Sequence, residues 1–457
     1  MPNINIETLK KFSGSGPRYT SYPPAPAFKA STSETLARKA LQLTKQFDNP
    51  LSLYIHIPFC HSLCYYCGCN VSIRKNNPKY GDEYLSYLKK EIELITQYLG
   101  KHKSIQQIHL GGGTPTFLNT TQLETLINLC EKYFNIETNC EKAIEVDPRT
   151  VSLDQLKLLH QRGFRRLSIG VQDINAQTQK AINRIHSKKV ISNLIQESRK
   201  IGYNSINLDL IYGLPHQTIE SVTETMQFII SQKPDRIAFY SFAHVPWVKK
   251  HQSRINSEDL PNVDQKLKMF IQSKTLLEEN GYKAIAMDHF ALETDELYKA
   301  YSKGTLNRNF MGYTILPGEN FLGLGASSIS YLHGTYLQNI KKLPEYYKQL
   351  DHKKLALEKD YSLTEGDHIR KAVIEQLMCR FTIEPKSLEL KYNIDFNNYF
   401  SNEQIHLQEC IEDKLLEQHD KNYYCTELGK LFVRKIAMGF DTHLQQSPAK
   451  PLYSKVI

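Results

Sequence analysis

The chain has 457 residues, 40% of them hydrophobic, which exceeds one ordinary domain and allows a sizeable buried core. Its net charge of +9 comes from lysines that are scattered rather than gathered in one block. This argues against nucleic acid as a partner and leaves room for an anionic small molecule such as a polycarboxylate. No apolar run reaches membrane-spanning length, and the first residues lack the charged and apolar regions of a signal peptide. Nine cysteines, an odd number, do not suggest a disulfide framework, so a reducing cytoplasm and no membrane are expected.

In chain order, residues 1–48 read as an arm. Arg18-Tyr-Thr-Ser-Tyr22-Pro23-Pro24 is extended by its prolines, and its arginine and tyrosines either cover a cleft or pack on the surface. A short helix spans Ser33 to Gln46. Residues 49–285 then alternate strand and helix. Strands are expected at Leu51–Ile57, Ile105–Leu110, Lys142–Val146, Arg166–Val171, Ser205–Ile211 and Arg236–Phe242. Helices are expected near Asp82–Leu99, Thr121–Tyr133, Ser152–Gln161, Val190–Ile201, Ile219–Ser231 and Leu267–Glu279. Such alternation predicts βαβ units and a parallel sheet, and six units are too few for a closed eight-fold barrel. The expected fold class is therefore α/β, a partial (β/α)6 TIM-like barrel whose strand C-terminal ends form the active face.

Residues 286–362 break the alternation, with polar-aromatic loops at Met287–Ala291 and Asn307–Tyr313. A small, glycine-rich stretch, Phe321–Ser330, is suited to close backbone approach. Residues 363–457 read as a mainly helical, winged-helix-like domain with a hairpin around Glu417–Thr426. It lacks a basic recognition helix and reads as a lid or docking domain.

The chemistry is concentrated in Cys60-His-Ser-Leu-Cys64-Tyr-Tyr-Cys67-Gly-Cys69, directly after the first strand. Three thiolates converging in one loop need positive charge, which a metal supplies. Three ligands without an obvious fourth suit a four-iron cluster with one open iron. Zinc is the poorer reading, because no second knuckle exists. Buried free cysteines do not explain four cysteines within ten residues. Gly111-Gly-Gly-Thr-Pro-Thr116 ends the second strand and offers bare backbone to a ligand. Glu145, Gln172 and Asp209 sit at successive strand ends, and Arg184 is a candidate clamp for a carboxylate. A charge in the apolar strand around Asp209 implies a bound partner.

Together these stretches resemble the radical S-adenosylmethionine (SAM) enzymes. More narrowly, Arg18–Tyr22, His56–Asn70, Glu145–Arg149 and Asn207–Pro215 resemble the oxygen-independent coproporphyrinogen III oxidases, a likeness that runs over nearly the whole chain. Cys69, just after the triad, is a mark of that family. The resemblance implies a barrel of the radical SAM type, with Cys60, Cys64 and Cys67 holding a [4Fe-4S] cluster to which SAM binds. It implies reductive cleavage of SAM, hydrogen abstraction from a propionate β-carbon, and loss of CO2 and an electron to leave a vinyl group. Two propionates of coproporphyrinogen III react in this way, giving protoporphyrinogen IX. The family binds two SAM molecules. By matched position Tyr66 would stack on adenine, while Gly112, Gly113, Thr114 and Glu145 would meet the methionyl or ribose parts. Gln172, Arg184 and Asp209 would complete the polar shell, and Tyr54, Ala243 and Ile329 would face the second SAM or the substrate. Glu145 and Tyr54 are also assigned to the reacting centre beside the three cysteines. The resemblance further implies a reduced flavodoxin or ferredoxin as electron donor, and a monomer. Cys69 is either structural or a substrate-side thiol.

One departure stands out. Asn307 and Met311 replace a histidine and a glutamine in the family's usual His-Arg-Asn-Phe-Gln-Gly-Tyr. This bears on substrate positioning more than on SAM cleavage. The rival readings are a haem-binding carrier that keeps the cluster without oxidase activity and, with less support, a regulator acting through the C-terminal segment.

Overall fold

A computed structural model describes residues 11–12, 14–317, 320–444 and 453–454. Six parallel strands, adjacent in sheet order, form its centre: β1 (Leu51–Ile57), β2 (Lys103–Gly112), β3 (Phe134–Val146), β4 (Arg166–Gln172), β5 (Ser205–Tyr212) and β6 (Arg236–Ser241). The connecting helices are α1 (Pro78–Leu99), α2 (Thr120–Tyr133), α3 (Leu153–Gln161), α4 (Ala176–Ala181), α5 (Lys188–Ile201) and α6 (Ile219–Ser231). Several helices start in reciprocal capping boxes, Asn119/Gln122, Ser152/Gln155 and Thr218/Ser221 among them. The six expected strands and their helices are present, with β2 and β3 longer than their apolar runs. The short α4 carries no apolar period and was not expected.

The strands show why a chamber forms inside. In β5, Ile206, Leu208 and Leu210 are buried against the helices, while Ser205, Asn207 and Asp209 alternate with them and line cavities on the concave side. A parallel sheet covered on both faces normally reads as continuous apolar sequence, so this alternation marks an interior that is not a packed core.

The sheet is wider than the alternation predicts. Among the described residues thirteen strands join it, and its two edge strands do not pair with each other. The glycine-rich stretch contains β7 (Phe321–Leu324), a seventh parallel strand beside β1, and β8 (Ile329–Leu332), which turns back antiparallel. A Cβ on Gly323 would overlap the Ile329 backbone, so the expected close approach is realised between strands of the sheet. The region expected as loops is corrected in two places. His289–Leu292 pairs antiparallel with β6, and Asn307–Asn309 pairs with Gly312–Thr314 as a hairpin. Strands of three or four residues with mixed polar and aromatic side chains have too little period to be read from sequence.

The C-terminal part packs around Val373, Leu377, Phe396, Phe400 and Phe432, in a core it shares with Tyr19 and Tyr22 of the arm and with Leu267, Ile285 and Tyr313. It contains the expected hairpin, Leu416–His419 with Asn422–Cys425, extended to three strands by Thr382–Ile383. The arm ties the two parts together. Arg18 Nη2 donates to the Ser241 carbonyl at the end of β6 (2.6 Å), and Tyr19 Oη donates to Asp441 (3.0 Å). Among the described residues no helix is long and apolar enough to cross a membrane.

Candidate active site

The cysteine loop leaves β1 at Ile57 and is closed at its base by a parallel pairing of Phe59–Cys60 with Ser72–Ile73. Side chains from elsewhere hold its backbone. Asn183 Nδ2 donates to the Leu63 carbonyl (2.8 Å) and Gln252 Nε2 to the Tyr66 carbonyl (2.9 Å). His251 Nε2 lies 2.8 Å from the Cys67 carbonyl, and Lys249 Nζ donates to that of Cys69 (3.3 Å). The loop is thus over-determined before any ligand binds.

Beneath it lies a cavity of about 310 Å³. Cys60, Cys64, Cys67 and Tyr66 line it from the loop; Gly112, Gly113 and Thr114 line it from the end of β2. Glu145, Gln172, Arg184 and Asp209 complete the wall. Tyr54, Ala243 and Ile329 are not among its lining residues. Tyr54 lies behind it, with its hydroxyl 3.1 Å from His56 Nδ1 and its ring stacked on His109. Ala243 offers its carbonyl to Gln252 Nε2 (3.1 Å), and Ile329 packs near Phe28 and Met311.

The glycines are required by space. Gly112 has φ +122°, and a Cβ on Gly113 would meet the Pro58 and Phe59 backbones at 2.8 to 2.9 Å. Gly112 N–H donates to Glu145 (3.1 Å), and His109 Nε2 lies 3.1 Å from the other oxygen. Burial works against the Glu145 charge, but these two contacts hold its carboxyl below the usual range. Its side chain is 41% accessible, because it faces the cavity. Asp209 differs. Ser168 Oγ (2.9 Å) and Asn207 Nδ2 (2.8 Å) donate to it, yet burial pushes its carboxyl up to about 6. Gln172 has φ +69° where the β4–β5 register shifts, a bulge that re-aims its side chain.

A cationic pair sits behind Cys64. Arg149 Nη2 and Arg184 Nη1 lie 3.7 and 3.6 Å from Cys64 Sγ, and both reach Asp147 Oδ2, at 2.6 and 3.1 Å. Burial opposes the Asp147 charge, and the two guanidinium groups outweigh it, bringing the carboxyl down to about 2. Arg184 Nη2 also donates to the Gly170 carbonyl (2.5 Å), and among the described residues its Nε is buried with no hydrogen-bond partner. The carboxylate that Arg184 clamps in this structure is therefore Asp147. Sequence reasoning passed over Asp147, Arg149 and Ser168, although the first two close the Glu145–Arg149 motif. It also passed over Tyr240, the residue before the last of β6, which faces the cavity.

The donor set fits an iron–sulfur cluster. Among the described residues no three His, Cys, Asp or Glu side chains close on one point, as a single ion requires. The three thiols are instead spread along the wall of a cavity. Burial pushes the Cys60 thiol up to about 12, while a hydrogen bond from Cys69, with Lys249 and Arg184 nearby, lowers Cys67 to about 7 against its burial. A cationic cluster supplies the charge that would ionise all three. A second chamber of about 160 Å³ shares Glu145, Ser168, Asp209 and Tyr240 with the first, and Met311, Tyr313 and His289 also line it. Asn307 turns away, donating to the Thr305 carbonyl (3.0 Å).

Known proteins are similar to this chain in sequence and fold. The pattern of the Radical SAM superfamily matches residues 54–229, and that of the HemN C-terminal domain matches residues 363–432. The chain is 41% identical over 456 residues to an Escherichia coli protein named oxygen-independent coproporphyrinogen III oxidase, covering 99% of this chain and 98% of that one. It is 40% identical over 458 residues to a Synechocystis protein of the same name, with the same coverage. The solved structure of coproporphyrinogen III oxidase (HemN) from Escherichia coli, described as a radical SAM enzyme, superposes with a TM-score of 0.89 at 40% identity, covering 93% of this chain and 97% of that one. By its cysteine loop, its barrel and this full-length likeness, the chain belongs to the oxygen-independent coproporphyrinogen III oxidase family of radical SAM enzymes.

Proposed function

We propose that this chain carries out the oxidative decarboxylation of two propionate side chains of coproporphyrinogen III to vinyl groups, giving protoporphyrinogen IX in haem biosynthesis. The observation that carries this reading is the convergence of the cysteine triad, the glycine turn and the strand-end polar residues on one cavity, in a chain about 40% identical to the family over 99% of its length. When bound, the cluster and SAM supply one-electron reductive cleavage and hydrogen-atom abstraction.

The chain's own residues do the rest. Cys60, Cys64 and Cys67 hold the cluster, and Arg149 and Arg184 offset the thiolate charge at Cys64. Gly112 and Gly113 would offer bare backbone to the methionyl part of SAM. Glu145, kept ionised by His109 and the Gly112 N–H, accepts from the methionyl ammonium or a ribose hydroxyl. Asp209, held by Ser168 and Asn207, takes the remaining hydroxyls. Tyr66 offers a ring for adenine to stack on. The second chamber gives room for a second SAM or for one edge of the substrate, with Tyr54 and Ile329 behind it. Residues 1–48 serve as an arm over the active face, 49–285 as the barrel, 286–362 as its substrate-side extension and 363–457 as a helical lid. We further assign a monomer in the cytoplasm, reduced by a flavodoxin or ferredoxin.

Anaerobic turnover of the reconstituted chain with coproporphyrinogen III and SAM tests this. A product lighter by two CO2 and four hydrogens is expected. SAM cleavage without any vinyl product would reject the substrate.

A further inference from the structure

The cysteine loop is gripped from outside by two segments that present an unusual surface. Asn183 holds the Leu63 carbonyl, and Tyr65 N–H donates to the Ile182 carbonyl (3.0 Å). On the other flank Lys249, His251 and Gln252 hold the carbonyls of Cys69, Cys67 and Tyr66. Arg254 lies 5.0 Å over the Tyr65 ring and so links the flanks. Ile182, Phe242 and Ile255 of these segments pack inward, and other side chains face outward. Ile185 is 67% exposed, Trp247 53% and Val248 51%, with Lys188, Lys189 and Lys250 also exposed around them.

Charge is segregated here. Residues 58–81, 174–196 and 236–257, which supply the loop and both flanks, contain eleven Lys and Arg and no Asp or Glu. The chain as a whole has 48 acidic residues in 457, so three separate stretches of 22 to 24 residues without one, meeting around the same loop, depart from its own composition. Exposed apolar side chains framed by cations of one sign are the pattern of a docking face for an acidic protein. The segments that carry this face hydrogen-bond the cysteine loop directly, through Asn183 on one flank and Lys249, His251 and Gln252 on the other.

We propose that Ile185, Lys188, Lys189, Trp247, Val248 and Lys250 form the docking face for the electron donor, a small acidic one-electron carrier protein. The proposal rests on the function assigned above and adds where the electron enters. The partner's acidic rim meets the lysines, the apolar centre excludes water, and Lys249, His251 and Gln252 link the contact to the loop backbone.

Trp247 is the chain's sole tryptophan, so its emission reports this face. Titrating the reconstituted full-length chain with an oxidised, acidic flavodoxin, whose flavin absorbs tryptophan emission, is expected to quench it saturably. Affinity is expected to fall roughly tenfold between about 50 and 200 mM salt. The triple variant K188E/K189E/K250E is expected to bind about tenfold or more weakly, again by electrostatic complementarity. K386E, a charge reversal on the C-terminal helix Pro385–Tyr392, is expected to bind like the unmodified chain. The triple variant reduced chemically with dithionite is expected to form vinyl product at the unmodified rate, which separates docking from chemistry. Unchanged flavodoxin affinity in the triple variant, salt-independent quenching, or an equal loss in K386E overturns the face. Concentration-dependent self-quenching without flavodoxin overturns it in favour of a second copy of the chain. Failure of the unmodified chain to form product with dithionite counts against the assigned reaction, whereas saturable, salt-sensitive quenching lost in the triple variant supports the face independently of turnover.

Discussion

Two buried carboxylates, one on the active face and one on the flank where β7 joins β1, are stabilised in opposite ways. Asp147 is held by two guanidinium groups and stays ionised, its carboxyl brought down to about 2. Glu91, 2% exposed on α1, is held only by neutral donors: the Gly325 N–H (2.7 Å), Tyr346 Oη (2.7 Å) and Asn339 Nδ2 (2.5 Å). Burial outweighs them and pushes its carboxyl up to about 7. The first arrangement keeps full charges beside a ligand cavity, where an incoming anion or thiolate can use them. The second latches a glycine turn to a helix and offers nothing to a ligand. Burial alone therefore does not mark a functional acid; compensation by charge facing a cavity does.

The largest test of that contrast removes the group the charges serve. Cys64→Ser is expected to strip most of the iron and to bring deoxyadenosine formation to background, read by iron content and chromatography. Retention of both would sink the cluster assignment. Next, Asp147→Asn leaves Arg149 and Arg184 facing each other without a counter-charge. A stability loss of about 3–5 kcal/mol in urea is expected, as for a broken buried ion pair, together with weakened iron retention. A loss under about 1 kcal/mol would mean the pair needs no counter-charge.

The latch should behave differently. Because Glu91 is raised above its unfolded value, the folded state binds the extra proton. Its stabilising contribution is present below about pH 4.5 and is lost as pH rises through about 7, on the order of 3 kcal/mol in total. Midpoints of urea unfolding between pH 5 and 8 should fall for the unmodified chain and fall less for Glu91→Gln; identical slopes would show that Glu91 does not titrate there. In the same latch Gly325 has φ +91°, and an added Cβ would lie 2.7 Å from the His56 carbonyl and overlap the Tyr84 hydroxyl. Gly325→Ala should cost about 2–3 kcal/mol by overpacking and backbone strain, with SAM cleavage per folded molecule retained.

The smallest effect is expected at the family departure. Met311 lines the second chamber with Tyr240 and Tyr313. Met311→Gln exchanges side chains of similar length, so it should shift the KM for coproporphyrinogen III by less than about tenfold, the scale of one hydrogen bond. Deoxyadenosine formation without substrate should not move. A large change in that uncoupled reaction would place Met311 at the SAM site instead.

Much of the site was legible because its chemistry is local. The cysteine spacing and the glycine triplet each lie within ten residues, and Glu145 and Asp209 are polar positions on strands whose period of two assigns them a face. Of the fourteen residues named from these local signals or, like Tyr66, Tyr54, Ala243 and Ile329, from the family resemblance, eleven line one cavity. Tyr54, Ala243 and Ile329 do not, and nothing in their neighbours distinguishes a position behind the wall from one in it. Arg149 and Asp147 were visible as motif letters, yet the contact of Arg149 with Cys64 spans 85 residues of sequence and that of Asp147 with Arg184 spans 37. The strand at Phe321–Leu324 reads in sequence only as part of a small, glycine-rich stretch suited to close backbone approach. Its parallel partner, β1, lies more than 250 residues earlier, and no local signal records that pairing.

The sequence by itself determined the order of strands and helices, the cysteine and glycine turns and the family, because periodicity, capping and ligand spacing act over a few residues at a time. Tertiary structure decided which charges meet. Whether a buried acid faces guanidinium groups or neutral donors depends on segments brought together across the barrel, and that choice separates Asp147 at the cavity from Glu91 in the latch.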